Sequence, residues 1–349
     1  MRDNYTVQSA SETAETAETV TTATGTRAGD GNEYDILAFF AEFISCFNRL
    51  DRAQGAFIRI FLDSRSYVVP QPMGSGASSL VSVIQSSEIL DQNLHGCDIS
   101  PALPNLVAVK IAKLGSVERT SVDRRFLKSM ATEMRVLSDS TIRSHANIVT
   151  LLGNCWNYGD AGQTVIMPVF TYETTGLGDM ETWLEQNKDI TLGLQLHLCL
   201  GVVNGVVCLN EAGVIHCDLK PKNVLIFRED SAASPVVPKI IDFDIAILHQ
   251  DAPEFILVPE GTRIWSSPEQ MARRSIHRDD LFKIDIFSLG LLLCNLLTSN
   301  TLNRFLHYIA RQRGYSARRV AHEFQAFKHA GFVIHDASRA IRPYQRPRR

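Results

Sequence analysis

Val214-Ile215-His216-Cys217-Asp218-Leu219-Lys220-Pro221-Lys222-Asn223-Val224-Leu225-Ile226 is the stretch whose reading decides the rest of this chain. An acid, Asp218, lies two residues before Lys220 and five before Asn223. Pro221 lacks a backbone N–H and fixes its own φ, so the segment does not run on as a helix. The apolar residues on either side, Val214-Ile215 and Val224-Leu225-Ile226, read as short buried strands. The expectation is a tight loop that aims a carboxylate, a cation and an amide at one point. A carboxylate can take a proton from a hydroxyl nucleophile, a lysine can neutralise a moving phosphoryl group, and an amide oxygen can hold a metal ion.

The stretch resembles the catalytic loop of eukaryotic protein kinases, H-R-D-L-x-x-x-N, with Cys217 in place of Arg. Lys220-Pro221 after Asp218-Leu219 is similar to the Ser/Thr form of that loop rather than the Tyr form. The resemblance implies that Asp218, Lys220 and Asn223 are the catalytic residues, with Asn223 also a metal ligand.

Upstream, Gly74-Ser75-Gly76-Ala77-Ser78-Ser79-Leu80-Val81 is similar to the kinase loop G-x-G-x-x-G-x-V, with Ser79 at the third Gly. Glycines let a backbone close over phosphates without side-chain clash; a plain hairpin turn is the bland reading. Val107-Ala108-Val109-Lys110-Ile111 matches the strand V-A-I-K, whose Lys pairs the α/β-phosphates. Residues 85–105 between them, with Pro101 and Pro104, read as an inserted loop. Residues 126–137 are a helix by the spacing of Leu127, Met130, Met134 and Leu137, and Glu133 resembles the kinase helix-C Glu that pairs with that Lys. His145-Ala146-Asn147-Ile148-Val149 is close to the family's H-P-N-I-V. Val165 to Phe170 is an apolar strand, and the resemblance makes it the approach to the hinge. Met167 is then the gatekeeper, with adenine bonded to the carbonyl of Pro168 and the N–H of Phe170. Gly74, Ser75, Gly76, Val81, Ala108, Lys110, Glu133, Met167, Pro168, Phe170 and Leu225 are the implied cofactor-binding set.

Downstream, Asp242-Phe243-Asp244 resembles the D-F-G metal motif, with Asp242 the implied metal ligand and Asp244 in place of Gly. Asp244 adds a second carboxylate near the metal. Gly261-Thr262-Arg263-Ile264-Trp265-Ser266-Ser267-Pro268-Glu269 is similar to the end of the activation segment. Asp285-Ile286-Phe287-Ser288-Leu289-Gly290 resembles the start of the helix whose Asp braces the catalytic loop. From Asp244 to Gly261 there is no Ser, Thr or Tyr. In most family members the Arg before the catalytic Asp grips a phosphate on this segment. Cys217 offers no such charge, so no activating phosphate is expected here. Phe255, Ile256, Leu257 and Val258 suggest that packing holds the segment instead.

The implied fold is α+β and bilobal: a small antiparallel β N-lobe with helix C, then a mostly α-helical C-lobe. The expected layout is a disordered acidic tail at 1–33, a helical N-terminal extension at 34–66 and a kinase domain at 67–300. The N-lobe is 67–167, the C-lobe 168–300, and a basic segment atypical of the family fills 301–349. The implied function is ATP-dependent phosphoryl transfer to Ser/Thr hydroxyls of protein substrates, with ATP and Mg2+ as cofactors. The alternative is a pseudokinase, a nucleotide-binding or scaffold module without turnover.

Composition narrows the rest. The apolar fraction is 45%, ample for a core. Residues 1–33 carry six acids against two Arg and lack the apolar residues to order themselves. Ile36, Phe39, Phe40, Phe43, Ile44 and Phe47 recur at helical spacing, which predicts an amphipathic helix packed on the following domain. Residues 301–349 carry eleven Lys and Arg against two acids. A solvated basic tail is the expectation and a nucleic-acid or phosphate-binding arm the sharper alternative; with no recognisable motif there, nucleic acid is not an expected partner. The apolar runs 36–44 and 289–297 are too short to span a bilayer, so no membrane span is expected. Seven cysteines without a paired pattern fit reduced thiols, hence an intracellular protein, cytoplasmic or nuclear.

Overall fold

The computed structural model describes residues 41, 43–46, 58–63, 74–75, 79–85, 104–112, 124–158, 166–229 and 235–298. All of them belong to one compact unit, Asp35–Arg349. The tail expected at 1–33, Gly76, most of the inserted loop and the basic segment at 301–349 lie outside the described residues.

The N-terminal part is a six-stranded sheet in the order β1-β5-β6-β4-β3-β2. Its strands are β1 (Ile58–Asp63), β2 (Gly74–Ser75), β3 (Ser79–Gln85), β4 (Leu106–Ala112), β5 (Leu151–Tyr158) and β6 (Ile166–Glu173). Strands β2 to β6 pair antiparallel, as expected of the fold. β1 adds a parallel edge strand against β5. This corrects the expected helical extension at 34–66, because Ile58–Asp63 is strand. Ile58-Arg59-Ile60-Phe61-Leu62 is rich in β-branched and aromatic residues, and pairing with β5 decides the outcome. Earlier in that region, Ala41 and Phe43–Cys46 are helical, and the Phe43 ring stacks on Phe170 at 6.0 Å.

Helix α1 (Arg124–Ser138) buries Met130, Met134 and Leu137 on one face. Among the described residues the helices of the C-terminal part are α2 (Met180–Gln186), α3 (Leu192–Glu211), α4 (Pro268–Ala272) and α5 (Phe282–Leu297). Three two-stranded ladders accompany them: β7 (Val214–Ile215) with β10 (Ile247–Leu248), β8 (Val224–Arg228) with β9 (Val236–Ile240), and β11 (Phe255–Leu257) with β12 (Ser275–His277). By length and apolarity alone α3 could cross a bilayer. Here it buries Leu198, Val202, Val206 and Leu209, and the Gln195 amide donates to the Leu296 carbonyl at the end of α5 (3.1 Å). A Cβ on Gly201 of α3 would come within 2.6 Å of Pro238, so this helix lies directly on β9.

The central brace is Asp285 of α5, which is fully buried. Its two carboxylate oxygens accept from the backbone N–H groups of His216 (2.6 Å) and Cys217 (2.9 Å). Cys217 stands in the left-handed region at φ 65, which costs a non-glycine residue about 1 kcal/mol or more. The Asp285 bonds hold that conformation. A second device is the apolar cluster of Ile215, Cys217, Ala252, Val258, Leu281 and Ile284. Ile256 packs against it, while Phe255 and Leu257 on the other face of β11 are exposed. The segment between Asp244 and Gly261 is thus held by packing through alternate residues of the expected apolar run.

Replacing Asp285 with Ala leaves two buried N–H groups without acceptors. The expected loss is about 3 kcal/mol of folding stability, read by urea denaturation with unchanged slope.

Candidate active site

Two clusters of charge meet where the sheet faces the C-terminal elements. The first is centred on Lys110. The register of β4 sets Gly74, Val81, Lys110 and Phe170 in one row across the sheet. Glu133 lies among Met130, Met134 and Leu137 on the packed face of α1, so the packing that seats the helix also aims the carboxylate inward. Lys110 Nζ is 2.8 Å from Glu133 Oε2, 3.3 Å from Asp242 Oδ1 and 2.5 Å from Asp244 Oδ1. Lys110 and Glu133 are both buried. Burial by itself would lower the Lys110 pKa, but Glu133, Asp242 and Asp244 together hold the ammonium well above its ordinary value. Burial lifts Glu133 to about 7, with the like charges of Asp244 and Asp242 adding to it against the pull of Lys110.

Asp242 is delivered by β9. The strand is tied to Asn147 through its carbonyl (from Ile240 N, 2.9 Å) and its side-chain amide (to Pro238 O, 3.0 Å). The next residue is fixed twice: Ile241 N–H donates to Asn223 O at 3.0 Å, and the His216 ring meets Ile241 O at 2.9 Å. Asp242 then turns through φ 70, a region that aspartate tolerates better than most residues. Phe243 is fully buried with its ring 5.2 Å from that of His216. Among the described non-glycine residues only Cys217, Asp242 and Arg273 have positive φ. Asp244 is therefore free of the strain that would demand glycine there, and its side chain is available to Lys110.

The second cluster is centred on Asp218. Its carboxylate accepts from Lys220 Nζ (2.5 Å), Thr262 N–H (2.6 Å) and Asn223 Nδ2 (3.2 Å). Lys220 also donates to the Thr262 hydroxyl at 2.8 Å. A Cβ on Gly261 would lie 2.6 Å from Cys217 O, so glycine lets the segment approach this closely. A carboxylate offers about four lone-pair sites, and three are used, which leaves one for an incoming hydroxyl. Asn223 spends its amide nitrogen on Asp218, through both the backbone carbonyl (3.0 Å) and the side chain, and keeps its oxygen for a cation. Asp242 and Asn223 supply the hard oxygen donors that a divalent cation takes. Among the described residues no group of three or more His, Cys, Asp or Glu forms a metal cage. An ion held by two such residues would draw its remaining ligands from phosphates and water. The Cys217 thiol is buried, and burial with the nearby charges of Asp285 and Asp218 pushes it well up. It carries no charge and is no nucleophile.

The hinge residues fall elsewhere. β6 continues to Glu173, so Met167, Pro168 and Phe170 lie inside the strand, paired with Asn157, Trp156 and Asn154 of β5. They do not stand at its exit, and the N-lobe sheet extends past the expected boundary at 167. The physical reason is strand propensity: Phe170, Thr171 and Tyr172 are all good strand residues, and the first turn text is Thr174-Thr175-Gly176. By register Tyr172, not Met167, stands beside Ala108. Its buried hydroxyl lies near Glu133 without a well-formed hydrogen bond. At the strand's end Glu173 accepts from Thr150 N–H (2.6 Å) and from Lys239 Nζ (2.8 Å), which ties the exit to β9. Leu225 lies in β8, bridged to Asp179 at the start of α2. Gly74 and Ser75 form β2 against Val81 and Leu80.

The sequence model of the protein kinase domain matches residues 102–325. The human dual specificity testis-specific protein kinase 1 is 30% identical over 159 residues, 44% of this chain and 23% of that protein. A probable serine/threonine-protein kinase, roco11, of Dictyostelium discoideum is 27% identical over 195 residues, 55% of this chain and 12% of its own length. The G-type lectin S-receptor-like serine/threonine-protein kinase LECRK3 of Oryza sativa subsp. indica is 27% identical over 258 residues, 73% of this chain and 25% of its own. The chain thus spans a quarter or less of the length of these relatives. A buried Lys–Glu pair, an Asp–Lys–Asn loop and a brace from α5 all fall inside the matched stretch, and this chain belongs to the protein kinase domain family.

Proposed function

We propose that this chain transfers the γ-phosphoryl group of ATP to Ser or Thr hydroxyls of protein substrates. Use of ATP and a divalent metal is general to the family; Mg2+ is the ion proposed here. The observation that carries the reading is the simultaneous approach of Glu133 and Asp242 to Lys110, at 2.8 and 3.3 Å. A chain with α1 swung out or Asp242 turned away would lack it.

Phosphoryl transfer asks a protein mainly for positioning and charge. Lys110, fixed by Glu133, holds the α/β-phosphates. Asp242 and Asn223 would hold Mg2+, which when bound neutralises charge on the phosphates. Asp218 orients the acceptor hydroxyl and takes its proton at the remaining lone pair. Lys220, anchored between Asp218 and Thr262, offers its charge to the transferred group. The cysteine pattern supports an intracellular setting. The alternative, a nucleotide-binding or scaffold module without turnover, draws on Asp244, whose carboxylate occupies Lys110 at 2.5 Å.

The test is phosphotransfer by the purified chain onto a generic basic protein with Mg2+ and ATP. Asp218→Asn is expected to remove it. Nucleotide binding without transfer by the parent chain selects the alternative. Lys110→Met is also expected to abolish transfer. Because Lys110 is buried among three carboxylates, the variant should also lose about 3 kcal/mol of stability. Retained turnover in a folded Lys110→Met protein contradicts the assignment.

A further inference from the structure

Arg135 lies two residues after Glu133 on α1, in its last turn. Residues two apart on a helix point to different sides, so one helix turn presents Glu133 to the sheet and Arg135 elsewhere. Arg135 Nη1 lies 2.5 Å from Asp251 Oδ2, with side-chain exposures of 26% and 50%. Asp251 closes the short 3-10 turn His249–Asp251.

That turn is fastened to the catalytic loop. β10, just before it, pairs with β7, the strand that leads straight into His216. His249 N–H donates to Gly213 O at 2.8 Å, and the His249 ring stacks on Phe282 at 5.3 Å. Ala252, the next residue after Asp251, packs in the cluster that holds Ile215 and Cys217. Asp251 therefore moves with the catalytic loop and Arg135 moves with Glu133.

We propose that the Arg135–Asp251 ion pair is a built-in positioning device: it holds α1 against the catalytic platform, keeps Glu133 on Lys110, and does so with an encoded carboxylate where a phosphate is not available. This rests on the proposed nucleotide-binding role of Lys110. Two facts about the segment leave this place open to such a device. Residues 244–261 contain no hydroxyl to phosphorylate, and Cys217 brings no positive charge to receive one. The anion here is Asp251, and its cation comes from α1 instead of the catalytic loop. Because the pair is half-exposed, its strength falls with salt, which makes α1 docking ionic-strength dependent.

The experiment measures the affinity of a fluorescent ATP analogue with Mg2+, and hydrogen exchange across α1, in the full chain at low and high salt. Asp251→Asn and Arg135→Gln are each expected to weaken nucleotide binding about two- to fivefold at low salt and to speed exchange in α1. The combined charge swap, Arg135→Asp with Asp251→Arg, should recover most of the lost affinity, whereas a pair that only stabilised the fold would change stability and leave the affinity of the folded single variants at the parent value. High salt should bring the parent chain to the level of the single variants. Unchanged affinity and exchange in both single variants, or a swap no better than the sum of its parts, overturns the proposal. If the parent chain binds no nucleotide, the functional reading fails, and exchange in α1 still decides the fate of the ion pair. Phosphatase treatment should leave nucleotide affinity unchanged. A loss that maps to a phosphate within 244–262 overturns the idea.

Discussion

The constraint on which this structure depends is the burial of one ammonium, Lys110, among three carboxylates. A buried lysine is costly unless it is paired, and its partners come from two other parts of the chain. β4 supplies the cation, α1 supplies Glu133, and the loop after β9 supplies Asp242 and Asp244. The charge can be satisfied only when the sheet, α1 and the C-terminal elements are all assembled. Three acids on one base leave this cluster net negative, a charge that favours a cation beside it.

The second cluster is built on a different principle. Around Asp218 the elements are short, and backbone N–H groups join the side chains in the bonding. Asp285 holds the N–H groups of His216 and Cys217, and Asp218 in turn holds the N–H of Thr262. Left-handed conformations at Cys217 and Asp242 stand next to these bonds. Strain of this kind persists only where the surroundings over-determine the backbone. The two clusters are joined by the bond from Ile241 N to Asn223 O, one residue from Asp242 and within the loop that carries Asp218.

Much of this was legible in the sequence because it is local. The spacing of Asp218, Lys220 and Asn223 sets their geometry through a short loop, and the helix period of Met130, Met134 and Leu137 carries Glu133 inward with it. What was not legible depends on pairing between distant segments. The stretch 58–63 has strand propensity, but only its pairing with β5 makes it a parallel edge. The end of β6 cannot be read from Met167-Pro168-Val169-Phe170, because strand residues continue through Tyr172. Asp244 was visible as a departure from the family motif. Its bond to Lys110 was not, since it depends on the turn at Asp242. The Arg135–Asp251 pair leaves no sequence signal, because each residue alone reads as a solvated surface charge.

The measurement that tests the account most directly is the affinity of the Glu133→Gln chain for Mg2+·ATP, by calorimetry beside the parent. Gln keeps the volume of the side chain and removes the charge that fixes Lys110. If Lys110 is a phosphate-binding cation positioned by Glu133, the variant stays folded and its dissociation constant rises about tenfold, or about 1.4 kcal/mol. A folded variant that binds Mg2+·ATP as tightly as the parent contradicts the claim that the Lys110–Glu133 pair organises this site.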